Sequence, residues 1–263
     1  MLRIPLDIER LCVEVVISHY VLDSTSSSPK ELPSVLWVCR RFKAWCYPHL
    51  YRSIIFNPDD LSIGLPLLRR TLVGSPQLAL LVQELTLPHR FIIGDAMEIL
   101  PLCVNLISLL VWDDQALDLT NNKALRRLSC FPTVFHTTLG SSLPPNFIQL
   151  THLDLITADA RSTWYTLFAS LINLTHLFTE HPSLDSELLC LIEHLPPSLC
   201  VCILFEDWPC VDDRTKRIAS GEVDRRIVFS STEHVDLSTP YIIRQADEIW
   251  APHEVCAAGT AKK

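Results

Sequence analysis

A leucine-centred phrase returns along the chain at nearly constant spacing. Each copy places an apolar anchor two residues before a further apolar or small residue, and the clearer copies also carry a leucine three residues earlier. Successive anchors are 24, 19, 25, 24, 25 and 25 residues apart, and they fall at Leu85, Leu109, Leu128, Leu153, Leu177, Cys202 and Ile227. The alternation of apolar and other residues around each anchor predicts a short strand there.

The stretches between the strands predict return helices. Apolar residues at helical spacing occupy 59–73, 95–102, 159–171 and 184–194. The unit with the short step, 113–124, lacks this spacing, and we expect a loop there. A period in the twenties with a strand and a return helix per unit is typical of leucine-rich repeats. The sequence therefore predicts an α/β fold, a leucine-rich-repeat solenoid of parallel strands with return helices, over 51–240.

The ends of the chain differ from the array. Residues 1–50 predict a helical pair, with a first run through Ile8, a polar loop at 23–29 and a second run from Val35 that ends near Pro48. A first strand is expected at 51–56. At the other end, 241–258 has helical spacing and would cap the open end of the array. The tail 259–263 is expected to be disordered.

The phase of the repeated phrase sorts side chains between the two faces of the sheet. Because side chains alternate along a strand, the anchors face the core and their neighbours face the other side. That other, concave side would display Glu84, Thr86, Ser108, Leu110, Trp112, Arg127, Ser129, Phe131, His152, Asp154, Ile156, His176, Phe178 and Glu180. Equivalent positions on neighbouring strands lie about 4.8 Å apart.

Several of these side chains are candidates for a partner-docking groove. The candidate residues are Leu110, Trp112, Phe131, Asp154, Ile156, His176 and Phe178. Aromatic anchors within a polar rim are typical of protein interfaces. The alternative is that the chain's own loops cover part of this face. His152 and His176 both follow threonine in copies of the phrase, so repeat inheritance explains the pair better than a metal site does.

The order of motifs at the N-terminus resembles a known family. Ile4-Pro5-Leu6-Asp7-Ile8, then Val38-Cys39-Arg40-Arg41-Phe42, then Leu50-Tyr51-Arg52-Ser53 are similar to an F-box-like domain that leads into leucine-rich repeats, of the type expanded in mushroom-forming fungi. The resemblance implies that the helical pair docks a Skp-type adaptor and, through it, a cullin ubiquitin ligase. Carried over to this chain, the adaptor contacts would be Ile4, Pro5, Ile8, Val38, Cys39 and Phe42. The alternative for all six is that they pack within the segment or onto the first repeat.

Composition narrows the function classes. The net charge is −8 and lysine and arginine form no dense block, which argues against nucleic-acid binding. No apolar run approaches the roughly 18 residues that a membrane helix needs. Ten cysteines without a Cys-x-x-Cys pair, and no secretion signal, predict reduced thiols in the cytoplasm or nucleus. In the pair Cys200 and Cys202, a strand would turn both side chains to one face.

No catalytic motif stands out. Glycine-rich phosphate loops, a nucleophile elbow and a paired-histidine zinc motif are all missing. We therefore expect neither cofactor nor enzymatic activity. The expected function is substrate recognition for a Skp/cullin/F-box-type ubiquitin ligase, with the array holding an unknown protein substrate. The alternative is a leucine-rich-repeat scaffold that binds a protein outside any ligase.

Overall fold

A computed structural model of the protein describes residues 6–23, 40–56, 61–87, 93–111, 117–131, 145–155, 168–180, 185–206, 217 and 223–231. The helices are α1 (Leu6–Asp23), α2 (Arg40–Leu50), α3 (Leu61–Gly74), α4 (Pro76–Ala79), α5 (Ile93–Ile99) and α6 (Asp185–His194). The strands are β1 (Ser53–Ile55), β2 (Glu84–Leu87), β3 (Ser108–Val111), β4 (Arg127–Cys130), β5 (His152–Leu155), β6 (His176–Glu180), β7 (Val201–Glu206) and β8 (Ile227–Ser231).

The eight described strands form one parallel sheet in the order of the chain, from β1 to β8. Each strand pairs with its sequence neighbours, and the anchors are register partners from Leu85 through Ile227. Helices, including short 3-10 turns at Leu100–Leu102 and Pro145–Gln149, lie between strands. The prediction of an α/β fold with parallel strands is therefore confirmed, and the arrangement is solenoid-like.

One continuous core follows the anchors through the array. Leu85, Leu153, Leu177 and Cys202 are fully buried, and in β2, β3, β4, β5 and β7 the residue two positions later joins the same cluster. Phe147 and Phe168 are among the largest side chains buried in this core. Burial of a large aliphatic or aromatic side chain stabilises a fold by about 1.5–3 kcal/mol. The recurring leucine phrase therefore supplies one shared core.

A repeated turn sets the position of each strand. The first leucine of a copy donates its backbone N–H to the carbonyl three residues earlier, as Leu106 does to Cys103 and Leu174 does to Leu171. Just before each of the strands β1 to β6, a single carbonyl accepts two N–H groups from the next unit. The carbonyl of Ile107, for example, accepts from both Arg126 and Arg127 at 2.8 and 3.0 Å. Register is thus determined before the strand itself begins.

Polar side chains also join one unit to the previous one, which the sequence alone did not reveal. Asn105 donates from Nδ2 to the carbonyl of Leu80, and Asn173 donates to the carbonyl of Ile148, each at 2.8 Å. Asn122 is completely buried and donates to the carbonyls of both Leu100 and Cys103. The bonds of Asn105 and Asn173 are exposed, whereas those of Asn122 are buried, so only the Asn122 amide supplies donors to buried carbonyls.

Most local predictions hold within the described residues. The helices expected at 59–73, 95–102 and 184–194 correspond to α3, to α5 with its 3-10 extension, and to α6. The described part of the expected loop, 117–124, contains only turns. The helix expected to end near Pro48 continues to Leu50, because the Tyr51 N–H still bonds to the carbonyl of Tyr47 at 3.0 Å.

One prediction about cysteine is wrong, and others fall outside the described residues. Cys200 and Cys202 do not share a face: β7 begins at Val201, so Cys200 is exposed in the preceding turn while Cys202 is buried in the core. The expected helix at 159–171 lies mostly outside the described residues, and the expected cap at 241–258 and tail at 259–263 lie wholly outside them.

Candidate functional site: the opposite face of the sheet and the helical pair

The face of the sheet that points away from the main core, here called the opposite face, carries two rows of register partners. The first row runs across the strands as Glu84, Ser108, Arg127, His152, His176 and Val201. The second row runs as Thr86, Leu110, Ser129, Asp154, Phe178 and Ile203. Both rows follow from the two-residue alternation of strands, as the phase of the phrase predicted.

Burial divides the predicted groove residues into two groups. Leu110, His176 and Phe178 are buried, with Leu110 at 0% exposure, whereas Phe131 and Asp154 are half-buried. Trp112 and Ile156 lie outside the described residues. Phe131 packs against the main core, so Asp154 is the half-buried member of this set that a partner docking on the opposite face would meet. The alternative of a partly covered face fits the three buried side chains.

The two histidines of the first row stack on each other. Their ring centroids are 4.1 Å apart and their planes differ by 2°. Each Nδ1 lies 2.8–2.9 Å from the hydroxyl oxygen of the preceding threonine, Thr151 or Thr175. Both hydroxyls donate their proton to a backbone carbonyl of the previous unit, so each accepts from Nδ1–H. In the neutral ring the second nitrogen, Nε2, is then the one without a proton.

This stacking geometry does not suit a shared metal ion. A metal ligated by imidazole lies close to the plane of the ring, and two parallel rings 4.1 Å apart have no common plane. Within the described residues, no group of three or more histidine, cysteine, aspartate or glutamate side chains is placed to hold a metal. The pair is therefore better described as part of the ladder of repeated side chains.

The second row contains buried polar atoms without a hydrogen-bond partner among the described residues. They are the hydroxyl oxygens of Thr86 and Ser129 and the carboxylate oxygen Oδ1 of Asp154. Thr86 is 1% exposed and Ser129 is 4% exposed. A buried polar group without a partner costs about 1–3 kcal/mol. The three unpaired atoms of this row therefore lower the stability of the fold.

Asp154 is the chemically distinctive member of the row. Burial raises the pKa of its carboxyl to about 7, although the neighbouring Arg127 guanidinium acts in the opposite direction. Its register partners on the two neighbouring strands are Ser129 and Phe178. The sequence placed Asp154 on this face, but it gave no sign that its Oδ1 would be unpaired, or that the hydroxyls of Ser129 on the next strand and of Thr86 three strands away would be unpaired too. Thr86, Ser129 and Asp154 each directly follow the anchor leucine of their strand, and this shared position in the repeated phrase is the sequence signal that places them in one row.

The helical pair presents a second candidate surface. Ile8, Leu11 and Val15 of α1 are 49%, 55% and 60% exposed, and their spacing places them along one side of the helix. Leu6 is 53% exposed at the start of the same helix. Isolated exposed apolar residues are common, but an aligned group of large ones is typical of an interaction surface.

A small core holds the two helices together. Val13 of α1 and Cys46 of α2 are buried against each other, and Phe42, Trp45 and Leu50 pack around them. The rings of Phe42 and Trp45 stack at 5.5 Å. Of the six predicted adaptor contacts, Ile8 is thus exposed and Phe42 packs inside the pair, while Ile4, Pro5, Val38 and Cys39 lie outside the described residues.

Charged contacts add to this packing. Arg41 of α2 forms an ion pair with Glu9 of α1 at 2.7 Å, and its guanidinium lies 5.3 Å from the ring centre of Trp45. Tyr47 and Tyr51 pack against the main core. The pair is therefore preformed and connected to the sheet through the end of α2, which leaves the exposed side of α1 available.

Searches against known proteins do not identify a relative. No protein-family model, no curated protein and no solved structure matches this chain. No helix in the described residues is both long enough and apolar enough to cross a bilayer. The functional argument therefore depends on the geometry of the two candidate surfaces.

Proposed function

We propose that this protein is the substrate-recognition subunit of a Skp/cullin/F-box-type ubiquitin ligase. In this proposal the F-box-like helical pair docks a Skp-type adaptor, and the sheet, as a leucine-rich-repeat array, binds a protein substrate. The chain would catalyse nothing itself. It would raise the local concentration of the substrate beside a ubiquitin-charged enzyme.

The observation that carries the proposal is the exposed apolar side of α1. If the N-terminal helices packed entirely onto the array, no adaptor surface would remain, and a scaffold outside any ligase would be favoured. Instead Ile8, Leu11 and Val15 keep about half or more of their surface exposed. Each such side chain gains roughly 1.5–3 kcal/mol on full burial, so an adaptor that covers all three would bind favourably.

The preformed helical pair supports the same proposal. Because Val13, Cys46 and the Arg41–Glu9 ion pair already hold α1 against α2, adaptor binding would not have to order the two helices. Preorganisation of this kind reduces the entropic cost of association. Phe42 would act by positioning α1 from within the pair, rather than by touching the adaptor.

Capture of a purified Skp-type adaptor tests the proposal. The full chain should retain the adaptor, and the variant I8D/L11D/V15D should lose at least about tenfold in affinity, because three carboxylates would replace the apolar contact. A matched control is Leu189→Asp on α6, where leucine is 63% exposed and lies outside the helical pair. This control should bind as the unchanged chain does.

Two outcomes would contradict the proposal. One is failure of the full chain to capture adaptor under conditions in which a known F-box protein succeeds. The other is equal capture by the I8D/L11D/V15D variant and the unchanged chain. In the first case, the better hypothesis is that the protein is a scaffold that binds another protein outside any ligase.

A further inference from the structure

The second row of the opposite face contains one place where an acidic, a hydroxyl and an aromatic side chain are neighbours. Asp154 on β5 is the register partner of Ser129 on β4 and of Phe178 on β6. Neighbouring strands lie about 4.8 Å apart. Side chains that leave adjacent strands on the same face are therefore close enough for one ligand group to contact all three.

The unpaired atoms at this place are oxygens. Ser129 Oγ and Asp154 Oδ1 are buried and have no hydrogen-bond partner among the described residues. The half-buried Arg127 guanidinium is near enough to lower the pKa of Asp154, yet burial outweighs it and the pKa remains at about 7. A ligand that brings N–H donors and positive charge would satisfy both oxygens.

We propose that Asp154, Ser129 and Phe178 form a pocket for an arginine side chain of the protein that the array binds, an inference that rests on the partner-binding role given to the array above. A guanidinium carries five N–H donors in a planar fork, so it can donate to two acceptors on neighbouring strands. Its flat face packs well against an aromatic ring such as that of Phe178. An ammonium group has three N–H donors, but it has no planar fork and no flat face.

Exposure and charge agree with this assignment. Asp154, Arg127 and His152 are half-buried, whereas Ser129 and Phe178 are buried, so the pocket has a more accessible edge and a buried floor. The net charge of −8 favours a basic partner over an acidic one. At the same alternating positions of β4, β5 and β6, the other titratable or charged residues are Arg127, His152, His176 and Glu180, and of these the Arg127 guanidinium opposes a second positive charge.

Short peptides test the pocket directly on the full chain. We would titrate the protein with three probes, acetyl-Gly-Arg-Gly-amide, the same peptide with lysine, and the same peptide with citrulline, which keeps the shape of arginine without its charge. Nuclear magnetic resonance would follow the signals of Ser129, Asp154 and Phe178. The arginine peptide should bind most tightly, and the citrulline peptide should bind at least about tenfold more weakly, because its ureido group keeps N–H donors but lacks the positive charge that strengthens a hydrogen bond to a carboxylate.

Variants separate the local contact from general charge. Asp154→Asn should weaken arginine-peptide binding at least about tenfold. Glu84→Gln removes the same charge from the same face, three strands away on β2, and should leave binding unchanged. In the unchanged chain, the affinity should fall by up to about tenfold for each pH unit below the pKa of Asp154, and Asp154→Asn should remove that part of the pH dependence.

The proposal is overturned if the arginine peptide does not shift these signals, if citrulline or lysine binds as tightly as arginine, or if Glu84→Gln weakens binding as much as Asp154→Asn does. The adaptor experiment is independent of this one, because it depends on Ile8, Leu11 and Val15. Loss of adaptor capture with intact arginine binding would contradict only the ligase proposal. The reverse result would contradict only the pocket.

Discussion

His152 and His176, which lie on neighbouring strands, stack with their ring planes 2° apart and their centres separated by 4.1 Å. Each ring is held by the threonine before it, and each threonine hydroxyl is held by a carbonyl of the previous unit. One Thr-His pair thus repeats from β5 to β6 and orients both rings in the same way. The repeated Thr-His pair therefore fixes the orientation of both histidine rings on the opposite face.

This arrangement predicts that the two threonines contribute unequally to stability. Thr175→Val should lower the free energy of unfolding by about 1–3 kcal/mol, because it removes the acceptor of the buried His176. Thr151→Val should cost less, since its partner His152 is half-buried and water can replace the lost bond. Urea denaturation of the two variants would measure this. An equal loss of unfolding free energy in the two variants would show that burial does not change the contribution of the threonine–histidine hydrogen bond.

The raised pKa of Asp154 predicts an unusual pH dependence. The folded chain keeps a proton on Asp154 up to a pKa of about 7, whereas the unfolded chain releases it near pH 4. The folded state therefore binds more protons between these values, and this group destabilises the fold increasingly as pH rises from about 4 to 7. Its effect is complete above pH 7.

Asp154→Asn should accordingly stabilise the free chain at pH 8. The amide has no charge to bury, and we expect the free energy of unfolding to rise on the order of 2 kcal/mol, after allowance for the half-buried position. The gain should shrink at pH 5, where the folded carboxyl is protonated. Urea denaturation at the two pH values checks this. Destabilisation by Asp154→Asn at pH 8 would mean that the carboxylate is already paired.

Asn122 is predicted to be a structural residue of the irregular unit. Its Nδ2 group donates to the carbonyls of Leu100 and Cys103, and the residue is completely buried. Asn122→Ala should reduce the free energy of unfolding by about 1–3 kcal/mol, because two buried hydrogen bonds to backbone carbonyls are lost. Asn173→Ala is the matched control: its single bond to Ile148 is exposed, and we expect a loss of about 1 kcal/mol or less.

Thiol reactivity should follow burial. Burial raises the pKa of Cys103 and Cys202 to about 12, so neither thiol ionises near neutral pH. Cys12 and Cys200 are exposed. Brief treatment of the native protein with iodoacetamide, followed by peptide mass spectrometry, should find label at Cys12 and Cys200 and little at Cys103 and Cys202. Rapid labelling of Cys202 would contradict the register that places it in the core.

The positions of the strands and the identity of the core were predictable from sequence because both depend on local periodicity. The anchors Leu109, Leu128 and Leu153 fall on strands that pair in the expected register, and the short step before Leu128 correctly indicated the absence of a helix in 117–124, the described part of that unit. Cys200 was assigned wrongly, because the first residue of a strand depends on where the preceding turn ends.

The candidate sites were only partly predictable. Ser129, Asp154 and Phe178 were all expected on one face, and the structure adds that Ser129 Oγ and Asp154 Oδ1 are buried without a partner among the described residues. Whether a side chain on that face is buried or accessible does not follow from alternation, since it depends on residues distant in sequence. Leu110 is an example: its position after the anchor Leu109 places it on the opposite face, yet it is completely buried.

The sequence by itself therefore determined which residues alternate into the core and how the units follow one another, because a period of two within strands and of about 24 between them is a local property of the chain. Only the tertiary structure decided that His152 and His176 stack, that Ile8 remains exposed on α1, and that Asp154 Oδ1 is buried without a partner among the described residues. These features arise where side chains from different units meet, and hydrogen bonding and burial there depend on all the neighbours at once.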